Sequence, residues 1–153
     1  MVQFKNRYMV FEVMIDSKDS SGKDPIIITE GNLSKVIKDS ILLNFGECGL
    51  AMSLGSFQVK YVNPISKLCI IRVTRDDHQK VWSAITMVRS IGNCSVTLNL
   101  LDLSGSIKAC KRSALKCDEA KFEQYKLEVG GFVPPETCSL VEKCFQKIKF
   151  LES

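Results

Sequence analysis

The basic side chains are the residues of this chain whose types and spacing indicate a chemistry. Four of them recur at helical spacing in the segment 107–125, and no acidic residue lies between residues 103 and 117. They are Lys108, Lys111, Arg112 and Lys116. At about 100° per residue, Lys108, Arg112 and Lys116 share one face of a helix and point away from its apolar stripe. Such a face is typical of a binding site for a polyanion.

Two further groups of basic residues extend this pattern. A second acid-free stretch covers residues 60–75, and two more cations precede the first predicted strand. The candidate phosphate ligands in these groups are Lys5, Arg7, Lys60, Arg72 and Arg75. Each group alone is equally consistent with a solvated surface, and a formal net charge of +4 agrees with an anionic partner without requiring one. Together the groups favour a surface that binds a polyanion.

The segment Ser104-Gly105-Ser106 lies at a predicted junction between a strand and a helix. Backbone N–H groups at a helix N-terminus bind phosphate, and glycine permits a close approach of the ligand. Ser104 and Gly105 are therefore added to the candidate phosphate ligands. The simpler alternative is a serine that only caps the helix.

Catalysis by the chain itself is not predicted. Its single histidine, His78, lies near the apolar stripe of the second predicted helix, where a partly buried or capping role is the simpler interpretation. Acid–base and nucleophilic catalysis usually depend on a histidine with an orienting partner. The sequence also contains no phosphate-binding glycine loop and no paired-carboxylate motif.

The seven cysteines do not have the spacing of a zinc site. The closest pairs, Cys110 with Cys117 and Cys138 with Cys144, lack the C-x-x-C separation that structural zinc favours. Cys110 and Cys117 fall on the apolar stripe of the third helix, so we expect them to pack in the core. The chain shows no secretory signal and no apolar segment long enough to span a bilayer, which favours reduced thiols. We expect no metal and no cofactor bound by this chain.

Hydrophobic periodicity predicts seven elements and a C-terminal helix within 153 residues. They are a strand over 8–15, a helix from Thr29 to Gly46 or Gly49 whose stripe extends to Phe45, a strand over 56–62, a strand over 67–73, a helix from Thr74 to Gly92, a strand over 94–103, a helix over 107–125 and a helix over 136–151. The segment 16–25 is predicted to be a polar loop, 63–66 a turn and 126–135 a linker. The order β-α-β-β-α-β predicts an α+β, ferredoxin-like antiparallel sheet with two helices on one face, to which a third helix and a helical tail are added. We place the ferredoxin-like domain, which carries the candidate polyanion ligands, at 1–125 and the linker with the C-terminal helix at 126–153.

The pattern also predicts where several apolar and aromatic side chains lie in this fold. Trp82 is expected in the core, and Tyr61 is expected on the same sheet face as Val59 because alternate residues of a strand share a face. Leu115 and Phe122 point toward the basic side of the third helix, so either the C-terminal helix or a partner protein should cover them. Strand 67–73 has no aromatic residue for base stacking, which favours phosphate and shape contacts over readout of single bases.

The chain resembles the processing-of-precursors subunit five family, the small protein shared by eukaryotic ribonuclease P and ribonuclease MRP. The segments that carry the resemblance are 4–8, 55–63, Arg72 and Arg75 ahead of 81–84, and 103–107 with Cys110. The run 44–49 is most similar to plant members. The resemblance covers about residues 1–125 and does not extend to the tail.

The resemblance implies the same fold and a role that the residues alone do not supply. In this family the particle's RNA, with Mg²⁺, cleaves the phosphodiester, and the protein braces the RNA while precursor tRNA loses its 5′ leader. The sister particle processes precursor ribosomal RNA. The implied partners are ribonuclease P RNA, ribonuclease MRP RNA, a barrel-like protein subunit and a small subunit of related fold, in the nucleus and nucleolus, with no membrane.

Two other functions remain open at this point. An acylphosphatase-like hydrolase of the same fold would need a glycine-rich phosphate loop with an arginine soon after the first strand, and the segment 16–25 contains no arginine. A module that only binds proteins would use Leu115, Phe122 and the C-terminal helix as its docking surface, and this role is compatible with RNA binding.

Overall fold

A computed structural model describes residues 5–15, 28–55, 57–63, 66–92, 94–128 and 130–151 of the chain. The predicted loop at 16–25 and part of the predicted turn at 63–66 lie outside these residues. In chain order the elements are β1 (Asn6–Ile15), α1 (Glu30–Leu54), β2 (Gln58–Val62), β3 (Leu68–Thr74), α2 (His78–Thr86), β4 (Ser90–Ile91), β5 (Cys94–Ser104), α3 (Ile107–Glu128) and α4 (Pro135–Lys149).

The strands form one antiparallel sheet in the order β2-β3-β1-β5-β4. The central strand β1 pairs with β3 on one side and with β5 on the other. Its residues Tyr8 to Phe11 are all buried, as expected of a strand that is covered on both faces. Apart from the two-residue β4, this is the ferredoxin-like arrangement, so the predicted fold class is confirmed.

Helices α1 and α2 cover the first face of the sheet. The N–H of Asn32 donates to Oγ1 of Thr29 at 3.1 Å, which confirms the predicted cap of α1. Trp82 is half-buried against this layer, in agreement with its predicted core position. The buried residues between these helices and the sheet form what we call the first core. Its members on the two helices are Leu33, Ile37, Ile41, Val81, Ala84 and Ile85.

Helices α3 and α4 cover the opposite face, so the sheet is the middle of three layers. Cys110 and Ala114 of α3 pack with Cys144 and Ile148 of α4 on the sheet. The sheet contributes Tyr8, Val10, Tyr61, Leu68 and Ile70 to this second core. The helical stripe through Cys110 therefore faces the sheet, as its spacing predicts.

The second helix is shorter than predicted. Its N-cap is Asp77 and not Thr74, whose hydroxyl donates to Oδ2 of Asp77 at 3.2 Å. The helix also ends before Gly92, because Val88 follows its C-cap and Ile91 belongs to β4. Val88 and Ile91 are buried as predicted, but they lie after the helix, in the connecting segment and in β4. Their separation in the sequence coincides with the spacing of residues on one helix face.

The first helical piece ends at Gly46, as predicted, but a second piece follows it through Gly49 to Leu54. The backbone of Gly46, with φ of 74° and ψ of −177°, separates two helical pieces that continue to Leu54. A Cβ atom on Gly49 would lie 2.5 Å from Cβ of Phe45, so only glycine fits the inside of this kink. Phe45 itself is 38% exposed, and the apolar stripe of α1 ends before it.

Tyr61 faces the side of the sheet opposite to the predicted one. Val59 pairs with Ile71, but Tyr61 pairs with Ile70, so the register shifts by one residue at Lys60. An extra residue in one strand turns all later side chains to the other face. Tyr61 consequently belongs to the second core, whereas Val59 belongs to the first.

This inversion brings Tyr61 to a buried acid that no sequence pattern indicated. Asp118 of α3 is 1% exposed and accepts hydrogen bonds from Oη of Tyr61 at 2.8 Å and Nδ2 of Asn63 at 3.2 Å. Its other oxygen accepts a hydrogen bond from Oγ of Ser66 at 2.5 Å. A second polar contact lies nearby, where Lys121 forms an ion pair with Glu12 of β1. These bonds join the middle of α3 to the β2–β3 hairpin and to β1.

The C-terminal tail packs on the second face of the sheet together with α3. Helix α3 continues to Glu128, so the connection to α4 is shorter than the predicted linker, and Gly130 and Gly131 turn it with φ values of 76° and 86°. The predicted C-terminal helix is confirmed as α4, which buries Val141, Cys144 and Ile148. The boundary at residue 125 stays a prediction, although α4 and α3 share one core.

We predict that Tyr61→Phe lowers the free energy of unfolding by about 1–3 kcal/mol, because Asp118 loses a buried hydrogen bond while the packing is kept. Urea denaturation measures the effect. Tyr125→Phe is the matched control, since the Tyr125 hydroxyl makes no hydrogen bond within the described ranges. Equal stabilities of the two variants would contradict the role given to the Tyr61–Asp118 bond.

A pH dependence follows from the same group. Burial raises the pKa of Asp118 above its ordinary value of 3.8, although the hydrogen bonds from Ser66, Tyr61 and Asn63 oppose the rise. The folded state therefore binds this proton more tightly, and the stability that Asp118 contributes is lost as pH rises through the raised pKa. We predict that wild type becomes less stable relative to Asp118→Asn as pH increases from about 3.8. If wild type instead gains stability over the variant as pH rises, the donors outweigh burial.

Candidate nucleic-acid interface

Strand pairing brings the basic residues of two distant segments to one end of the sheet. The start of β1 lies beside the end of β3, where Arg7 pairs with Val73 and Tyr8 with Arg72. The N–H of Arg75 donates to the carbonyl of Lys5 at 2.8 Å, which holds the two chain segments together beyond the strands. These strand ends place four cations at one end of the sheet, which we call its basic end. They are Lys5, Arg7, Arg72 and Arg75.

The strand–helix junction lies at the same end. Ser104, the last residue of β5, pairs with Tyr8 of β1. A Cβ atom on Gly105 would lie 3.3 Å from Nη1 of Arg7, so the guanidinium lies directly over this glycine. The sequence pattern in 104–106 is therefore next to Arg7 in space, which the sequence alone did not indicate.

The serines of the junction have structural partners. Oγ of Ser106 accepts the N–H of Ala109 at 3.2 Å and caps α3, as the simpler alternative proposed. Oγ of Ser104 donates to Oδ2 of Asp102 at 3.0 Å. A phosphate-binding role for Ser104 and Gly105 stays a prediction.

Arg72 differs from the other predicted cations in one donor atom. The residue is half-buried on the second face of the sheet, in register with Tyr8 on one side and Gln58 on the other. Its Nε atom is buried and has no hydrogen-bond partner among the residues that the structure describes. A buried donor without an acceptor destabilises a fold by about 1–3 kcal/mol, so Arg72 is held in this position at a cost in stability.

Helix α3 continues the basic surface away from the sheet. Lys108, Arg112 and Lys116 are exposed, which confirms that they face away from the apolar stripe. Lys111 is half-buried and its Nζ donates to the carbonyl of Lys149 at 3.2 Å. Lys60 lies at the bulge of the edge strand β2 and is half-buried.

The predicted cations form no ion pair in the described part of the chain. The ion pairs found there are Lys121–Glu12, Lys126–Glu123 and Lys147–Glu30. The basic end of the sheet and the outer face of α3 therefore present uncompensated positive charge, which attracts a polyanion.

Leu115 and Phe122 are covered by the chain itself. Leu115 packs against the second core, and the rings of Phe122 and Phe145 meet edge to face with centroids 6.4 Å apart. The sequence predicted that either the C-terminal helix or a partner protein covers these side chains, and in the structure α4 packs against Phe122. The assignment of Leu115 and Phe122 to a protein interface stays a prediction.

The single histidine and two of the buried cysteines have environments that are typical of structural residues. Nδ1 of His78 lies 2.5 Å from the carbonyl of Arg75, at the start of α2. Burial raises the pKa of the Cys69 and Cys110 thiols to about 12, so both remain protonated and unreactive at neutral pH. Within the described residues, no group of three potential metal ligands occurs and no helix is long and apolar enough to cross a bilayer.

Comparisons with known proteins identify relatives of this chain. A family model described as the Rpp14/Pop5 family matches residues 7–115. A curated protein of Arabidopsis thaliana, "Probable ribonuclease P/MRP protein subunit POP5", is 59% identical over the full length of both chains. The Schizosaccharomyces pombe protein "Ribonuclease P/MRP protein subunit POP5" is 30% identical and covers 83% of this chain and 95% of its own length.

The fold is also found in a solved structure. A chain of the cryo-EM structure of yeast ribonuclease MRP superposes with a TM-score of 0.51 at 16% identity, over 82% of this chain and 95% of that chain. At this identity the likeness concerns the fold alone. The family model and the two curated relatives establish that the chain belongs to the Rpp14/Pop5 family.

Proposed function

We propose that this chain is a protein subunit of ribonuclease P and ribonuclease MRP that binds the RNA of both particles without catalysing cleavage itself. The observation that carries the proposal is that cations from three segments, the start of β1, the end of β3 and the start of α3, lie at one end of the sheet. β1, β3 and α3 each contribute basic residues to it, and these cations form no ion pair in the described ranges. Relatives named as subunits of both particles support the assignment.

The geometry favours contacts to phosphates over contacts to bases at this surface. Lys and Arg at the basic end of the sheet and on α3 are exposed or half-buried, and phosphates fix the position of a protein on a nucleic acid without reading its sequence. The half-buried Arg72, which pairs with Tyr8 near the end of β3, is a candidate for one such contact. We infer that the protein braces a folded RNA by its shape and charge.

The RNA is the proposed source of the chemistry. Mg²⁺ held by the RNA would support phosphodiester cleavage in two reactions. These are the removal of the tRNA 5′ leader and the processing of precursor ribosomal RNA. We further propose that the chain acts in the nucleus and nucleolus, beside a barrel-like subunit and a small subunit of related fold. The bonded surroundings of His78 and the high pKa values of Cys69 and Cys110 support a subunit without a reactive group of its own.

A protein-binding role is the second candidate, and a groove between α3 and α4 favours it. Its volume is about 620 Å³, and its apolar lining includes Phe122, Val133 and Val141. Leu127, which is 83% exposed, and Phe132 extend the apolar surface of this region. Because the groove lies beyond the cations of α3, a protein and an RNA could bind at the same time.

We predict that the double variant Lys108→Ala, Arg112→Ala binds RNA more weakly and with a smaller salt dependence. Each lost phosphate contact reduces the slope of log affinity against log salt by about 0.7–0.9, so two contacts reduce it by roughly 1.5. Filter binding of the full chain to ribonuclease P RNA between low and moderate salt measures both quantities.

The control for this experiment removes the same charge elsewhere. Lys35→Ala with Lys38→Ala alters α1, on the opposite side of the sheet, and should leave the slope almost unchanged. Urea denaturation verifies that both double variants are folded. If the two double variants lose affinity equally, net charge and not the α3 surface determines RNA binding.

A further inference from the structure

The C-terminal end of α4 presents an aromatic ring to solvent on an anchored backbone. Phe150 is 78% exposed, although Ile148 before it is fully buried and Leu151 after it packs against the second core. The N–H of Phe150 donates to the carbonyl of Gln146 at 3.1 Å, and the N–H of Leu151 to that of Ile148 at 3.2 Å. The backbone that carries this exposed ring is therefore anchored on both sides.

The backbone before this ring is bonded to α3 beside its basic face. The bond from Nζ of Lys111 to the carbonyl of Lys149 joins the residue before Phe150 to the second turn of α3. The same part of α3 carries Lys108 and Arg112 on its exposed surface. The contact between Phe122 and Phe145 lies further along α3 and earlier in α4, so the two helices run antiparallel and only the end of α4 reaches these cations.

An exposed aromatic ring next to several cations has a specific chemical use. Proteins that bind single-stranded nucleic acid combine a positive surface that follows the phosphates with aromatic rings on which bases stack. Proteins with a related sheet place such rings on the open face of the sheet. Here α3 and α4 occupy that face, so a ring for stacking has to be supplied by the helical layer.

We propose that Phe150 stacks on an unpaired base of the RNA whose phosphates are bound by the cations of α3. This inference rests on the proposed RNA-binding function and adds to it a contact with a single-stranded nucleotide. Stacking depends on the flat face of the ring and not on its apolar character alone. The variant Phe150→Trp therefore keeps an aromatic face at this position, whereas Phe150→Ala removes it.

Two probes separate stacking from phosphate binding. One is a labelled single-stranded oligouridylate, and the other is an oligonucleotide of equal length with the same phosphates but without bases. Both are titrated with the full chain and with the variants. Phe132→Ala is the matched control, because Phe132 is 75% exposed but lies in the connection between α3 and α4.

We expect Phe150→Ala to weaken binding of the oligouridylate by roughly fivefold to 150-fold, the range that base–aromatic stacking supplies. Binding of the abasic probe should be unchanged, Phe150→Trp should retain affinity, and Phe132→Ala should have no effect. If wild type binds both probes and Phe150→Ala weakens neither, or weakens both equally, the stacking inference is overturned while phosphate binding stands. If wild type binds neither probe but binds ribonuclease P RNA in the filter assay, the stacking inference fails alone. If it binds none of the three, the proposed RNA-binding function fails as well.

Discussion

The buried carboxyl group of Asp118 is the contact on which the arrangement of this molecule depends. It lies in the middle of α3 and accepts hydrogen bonds from Tyr61, Asn63 and Ser66, all on the β2–β3 hairpin. A buried acid is tolerated only where such donors surround it. Since those donors occupy one place on the sheet, the position and rotation of α3 across the second face are determined by them.

The basic surface follows from that position. With the stripe of α3 turned to the sheet, its cations necessarily face outward, and its first turn lies where β1, β3 and β5 meet. The guanidinium of Arg7 over Gly105 joins the helix start to the basic end of the sheet. This arrangement leaves no open sheet face, because the two added helices bury it. The proposed RNA site is thereby restricted to the end of the sheet and the outside of the helical layer.

The sequence predicted the elements better than their mutual contacts. The stripe through Cys110, the cap at Thr29 and the C-terminal helix followed from local periodicity, which depends on a few neighbouring residues. Tyr61 was placed on the wrong face because a single extra residue, Lys60, inverts the strand, and such a bulge has no signal in an alternating apolar pattern. Asp118 was missed because an acid in a charged helix indicates a solvated face. The proximity of Lys5 to Arg75 depends on strand register, which the chain does not reveal locally.

The most direct test of this account is a cryo-EM structure of a native ribonuclease P or ribonuclease MRP particle that contains this chain. The account predicts RNA phosphates within hydrogen-bonding distance of Arg7 or Arg72 and of at least one cation on α3, with α3 still closing the second face of the sheet. A particle in which α3 leaves the sheet and bases occupy the vacated face would contradict it. So would one in which every nucleotide lies far from these side chains.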